Sequence, residues 1–193
     1  MRGRPKEFDE REVLDRAMHL FWLRGYEGVS LVELLRHMEI SRQSLYDTFG
    51  NKRALFIRAI AHYRDTQLVA ALALLERDGS ALENVKDVVR FFQELAMDSR
   101  CRGCLVANAL VELGPHDAEI AALLREILDL LQGSIERTLL RAQAQGELDA
   151  SRSPGELSRA LTNAAMGMAV TGKLPLAEST LRDICAGTLG MLR

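Results

Sequence analysis

At 193 residues, 48% hydrophobic and 27% charged, the chain has room for a small module plus a larger core, but not for several enzymatic domains. No apolar run reaches the roughly 20 residues of a membrane span, and the basic start MRGRPKEF has no apolar stretch behind it, so no membrane contact or secretory signal is expected and the location is read as cytoplasmic. The net charge of −2 conceals an asymmetry: residues 1–65 carry 12 Lys/Arg against 10 Asp/Glu and the remainder 13 against 17, which excludes a uniformly basic nucleic-acid binder and leaves a local basic patch.

In chain order, a basic arm (Arg2, Arg4, Lys6) precedes Asp9, which stands three residues before Glu12 and opens a helix. Val13, Leu14, Ala17, Met18, Phe21 and Trp22 recur there at helical spacing until Gly25. Ser30 with Glu33 has the spacing of a capping box for a short second helix, and a turn follows at Glu39-Ile40. Ser41 then caps a third helix, SRQSLYDTF, broken at Gly50-Asn51. A single long helix is predicted from Lys52 to about Glu76, with Leu55, Phe56, Ala59, Ile60 and Tyr63 on one face.

After the Asp78-Gly79 turn, Ser80 and Glu83 open a helix with a stripe of Val85, Val88, Val89, Phe92 and Leu95. The segment Arg100-Cys-Arg-Gly-Cys104 interrupts the pattern before a short apolar helix ending at Gly114-Pro115, and His116-Asp117 reads as a turn and cap rather than a catalytic dyad. The longest stripe runs from Ile120 to Leu139 and stops at Gly146. Ser153, Pro154 and Glu156 start the next helix, and a last one follows Pro175. No strand candidate, internal repeat or low-complexity stretch is present in the pattern, so the fold class is all-α.

A tight turn between two short helices at residues 30–49, the second of them rich in polar side chains, is the layout that sets a recognition helix into the DNA major groove. Arg42 suits guanine O6 and N7, Gln43 suits adenine N6 and N7, and Ser44 or Thr48 suits either base edge or a thymine methyl. Tyr46 and Lys52 suit phosphates, as do hydroxyls at the helix starts such as Ser30 and Ser41. Tyr46 is equally compatible with covering the core, and the arm with either minor-groove entry or plain phosphate attraction.

Phe21, Gly25, Tyr26, Gly28, Ser30, Ile40, Ser41, Leu45-Tyr46, Phe49, Lys52, Leu55 and Phe56 together give residues 8–63 a pattern that resembles the DNA-binding domain of the TetR (tetracycline-repressor) family. The resemblance implies about nine helices: an N-terminal helix-turn-helix DNA-binding domain (1–65) and a C-terminal helical ligand-binding and dimerisation domain (66–193), paired through the last two long helices. It also implies phosphate contacts for Tyr46 and Lys52 and base reading for Arg42, Gln43 and Ser44. The expected partners are double-stranded operator DNA, a second copy of the chain and a small-molecule inducer, and the expected activity is repression relieved by that inducer or by thiol modification.

For the signal, apolar positions Phe91, Phe92, Leu95, Leu105, Leu110 and Met168 are candidate pocket residues, a stripe that ordinary core packing also explains. Cys104, with Cys101 three residues before it, sits near a helix start, where the helix dipole and the nearby Arg100 and Arg102 would stabilise a thiolate. The Gly103-Cys104-Leu105 text resembles that of family members that sense reactive species through cysteine. A small buried thiol is the alternative, and Lys173 is a distant candidate support for the thiolate. Cys185 and His116 lack the paired spacing of a zinc module, so no metal or cofactor is expected, and no nucleophile–base pair or phosphate-cradling loop suggests an enzyme.

Overall fold

The computed structural model describes residues 8–98, 103–174 and 178–193. Among them the chain forms nine helices and no strand. These are α1 (Glu10–Arg24), α2 (Leu31–Met38), α3 (Arg42–Phe49), α4, α5 (Ala81–Met97), α6 (Leu105–Glu112), α7 (Ala118–Ala144), α8 (Pro154–Thr171) and α9 (Glu178–Gly190). The all-α class and the helix count agree with the sequence pattern, and most starts are set by the caps read from it. Asp9 accepts from the Arg11 and Glu12 amides, Ser30 and Glu33 close a reciprocal capping box, and Ser41, Ser80, Asp117 and Ser153 cap α3, α5, α7 and α8.

The helix α4 departs from expectation. It runs as α-helix over Lys52–Tyr63, widens into a π-helical turn over Arg64–Leu68 and resumes over Val69–Leu75. The cause is the spacing of its buried residues: Tyr63 and Leu68 both face inward, yet five residues of regular α-helix would set them roughly 140° apart. One wide turn brings both to the core, and the Thr66 hydroxyl donates to the His62 carbonyl within it.

α1 to α3 and the first half of α4 pack around Phe21, Leu34, Leu45, Leu55 and Phe56, all fully buried. α5, α7 and α8 pack on one another, and α9 lies on α5 and α8. The short α6 is the intermediary, touching α1 and α4 on one side and α7 and α8 on the other.

Candidate DNA-reading helix and regulatory cavity

Leu45 and Phe49 fix the inner face of α3, which leaves Arg42, Gln43, Tyr46 and Asp47 exposed together on the outer face. Arg42 stands in the first turn with no ion-pair partner among the described residues. The Gln43 amide donates to Asp47 at 2.8 Å, one turn on. Ser44 is half-buried: its amide donates to the Ser41 hydroxyl, and the two hydroxyls lie 2.9 Å apart. Thr48 is half-buried too, and its carbonyl accepts from Arg58.

The turn before α3 passes through Glu39 in the left-handed conformation at φ 57, the single non-glycine with positive φ among the described residues. An ion pair with Arg16 of α1 holds this residue and keeps its carboxyl below the usual range. The Ser30 hydroxyl and amide engage Glu33, lowering that carboxyl as well, while Arg24 closes on it from α1. Lys52, at the start of α4, extends over the Tyr26 ring with its ammonium 4.3 Å from the centroid. Arg58 stacks on Phe49 and pairs with Glu10.

Between α4, α5, α6, α7 and α8 lies a narrow apolar cavity of about 30 Å³ whose wall includes Tyr63, Gln67, Phe92, Leu95, Cys104 and Met166. Phe91, Phe92 and Leu95 stand where the stripe put them. Leu105 and Met168 do not: both are fully buried outside the wall, and Val106 and Met166 supply those surfaces. One residue turns a helical side chain by about 100°, so an apolar stripe names the helix but not the face that meets a void. Leu110 is exposed. Tyr63, Gln67 and Leu68 enter the wall through the wide turn of α4, which the expectation of one regular helix concealed.

Cys104 caps the N-terminus of α6 without a side-chain bond to it. Its sulfur instead accepts a hydrogen bond from the Tyr63 hydroxyl at 3.4 Å, inside the apolar wall. Lys173 comes close to the glycine before Cys104, its Cε 3.0 Å from a Cβ placed on Gly103, but it is not part of the cavity wall that includes Cys104. Cys101 with Arg100 and Arg102, and the arm residues Arg2, Arg4 and Lys6, lie outside the described residues. Cys185 is buried in α9, where burial raises its thiol pKa against the opposing effect of Arg90. No cluster of three metal-ligating side chains occurs among the described residues, and none of their helices is long and apolar enough to cross a membrane.

Residues 13–59 match the family described as bacterial regulatory proteins, tetR family, and residues 75–186 match the tetracyclin repressor-like C-terminal domain. The chain is 37% identical over 195 residues to the uncharacterized HTH-type transcriptional regulator YezE of Bacillus subtilis (strain 168), covering 98% of this chain and 99% of that protein. It is 29% identical to the HTH-type transcriptional repressor ComR of Escherichia coli (strain K12), over 97% of this chain and 90% of ComR. Among solved structures, a cysteine mutant of the TetR family transcriptional regulator CifR, complexed with 26-bp double-strand operator DNA, superposes with a TM-score of 0.89 at 31% identity, covering 98% of this chain and 100% of that one. With both its helix-turn-helix and its C-terminal half matched, the chain belongs to the TetR family of bacterial DNA-binding transcriptional regulators and is not an enzyme.

Proposed function

We propose that the protein is a cytoplasmic homodimeric repressor that grips a near-palindromic operator and lets go when its cavity is occupied by a small apolar inducer or when Cys104 is modified. The observation that carries the DNA half of this reading is the outer face of α3, where Arg42, Gln43 and Tyr46 are exposed side by side on a helix capped at Ser41. In this assignment residues 1–65 read DNA and residues 66–193 regulate and pair. Arg42 and Gln43 read base edges, with Ser44 and Thr48 at the margin of the groove. Ser30, Ser41, Tyr46 and Lys52 hold phosphates, the last steadied by the Tyr26 ring. The DNA-bound CifR neighbour and the repressor ComR support the repressor assignment.

Release follows from the size of the cavity. At about 30 Å³ it has room for about two waters, so an inducer must push the walls apart. One wall is the wide turn of α4, the helix that begins at Lys52. An inducer that binds the opened state better shifts the population away from the DNA-competent one. Alkylation or oxidation of Cys104 acts on the same wall.

The test is binding to duplexes selected from a random pool. Lys52→Ala weakens binding to all duplexes and lowers the salt slope by about 1, while Arg42→Ala and Gln43→Ala each change the preferred base at one position, at about 1–3 kcal/mol. Uniform loss for all three variants overturns the reader assignment. Quinone or hypochlorite releases the wild-type protein from its duplex, and Cys104→Ser stays bound under the same treatment. Equal release of both removes the thiol from the mechanism.

A further inference from the structure

α6 carries three residues at four-residue spacing that form one line from the cavity to the DNA-reading half: Cys104 at its cap, Asn108 and Glu112. Cys104 lines the cavity. The Asn108 side-chain amide donates to the Trp22 carbonyl at 3.2 Å, and the Trp22 indole donates back to the Gly103 carbonyl at 2.8 Å. Glu112 ends the line as a two-pronged acceptor: its Oε2 takes the Tyr26 amide at 2.8 Å and its Oε1 the Glu27 amide at 2.7 Å, across 86 and 85 residues of sequence.

These are charge-assisted bonds to two consecutive backbone donors, so they fix the orientation of the turn as well as its distance. Gly25 makes room for them, because a Cβ there would lie 2.8 Å from the same carboxylate oxygen. The clamped turn leads into α2 at Ser30, and the Tyr26 ring carries Lys52.

We propose that Glu112 is a positioning residue for operator recognition: by gripping the Tyr26–Glu27 turn it holds the DNA-reading half at one angle to the dimer body and so sets which half-site spacing the protein accepts. This rests on the reading of the protein as a dimer on two half-sites. Glu112 lies about 60 residues beyond α3 and reads no base; it governs the distance between two readers rather than the sequence each one reads.

The experiment uses the full chain and the two-half-site duplex that the wild-type protein enriches from random DNA. Versions with one or two base pairs added or removed at the centre, and a duplex with one half-site alone, complete the set. Two added base pairs turn one half-site by roughly 70° and shift it by ~7 Å, and the wild-type protein is expected to lose about 100-fold in affinity, or about 2.7 kcal/mol. In Glu112→Gln, which presents one acceptor in place of two, and in Glu112→Asp, which keeps the charge but falls short, the spacing penalty is expected to shrink to about threefold, with binding to the single half-site unchanged.

A wild-type spacing profile in both variants overturns the proposal. So does loss of single-half-site binding in step with the full site, which would mark Glu112 as merely structural. Enrichment of one half-site only, with no paired sequence, instead overturns the two-half-site reading and the spacing role with it. Should Glu112→Gln fail to fold, Glu112→Asp alone carries the comparison.

Discussion

Asp117 shows what a single carboxylate does at the joint between the halves. It caps α7 through the Glu119 and Ile120 amides and takes Arg53, next to Lys52, in two bonds at 2.7 and 2.8 Å. Arg53 is the chief cause that lowers the Asp117 carboxyl from 3.8 to about 2, with the Ile120 amide second, and the pair raises the Arg53 guanidinium in turn. A carboxyl depressed in the folded state stabilises fully above its unfolded value and loses that contribution as acid reaches the folded one. The wild-type protein should therefore melt higher than Asp117→Asn above about pH 4, with the gap closing as pH falls towards 2. Asparagine caps helices as well as aspartate does, so the variant isolates the ion pair. Melting curves in which the gap persists unchanged to pH 2 would assign the stability elsewhere. The cap was legible in the sequence because its bonds span two or three residues, whereas Arg53 lies 64 residues from its partner and Glu112 86 from Tyr26, beyond any local pattern.

Among the elements, α3 was legible in full, because Ser41, Leu45, Phe49 and Gly50 fix its start, its inner face and its end within ten residues. α4 was legible only in outline. Its inward residues keep regular spacing to Tyr63 and then skip to Leu68, and that break in phase was the available signal for the wide turn. The turn holds the two stretches of α4 in a fixed rotation and already absorbs one residue more than a regular helix would, so inserting an alanine after Thr66 should rotate everything before it by roughly 100°. Arg53 would then miss Asp117, and Tyr26 would miss Glu112. Helix content measured by circular dichroism should stay level while operator binding falls by more than about tenfold; full-strength binding by the insertion variant would make the phase of the turn a tolerated irregularity. The cavity was the least legible part, since whether Leu105 or Val106 faces a void depends on how five helices meet.

For the whole molecule, the sequence pattern separated the two halves by charge and periodicity, and the family matches at 13–59 and 75–186 fall on either side of the wide turn. Pairing in the proposed dimer is assigned to α8 and α9, where Gly167 and Gly187 look out on open space. Gly167→Arg should yield a folded monomer in light scattering, with two-half-site affinity reduced to that of one half-site; a persistent dimer would move the interface to another face. Trp22 is the only tryptophan in the chain, and its ring is wedged against Tyr63 at 5.0 Å while its N–H grips Gly103. The molecule thus carries its one tryptophan at the joint between its halves, and rapid-mixing fluorescence excited at the indole of the unlabelled protein can time the proposed opening, separating how fast a signal arrives from how tightly it is held.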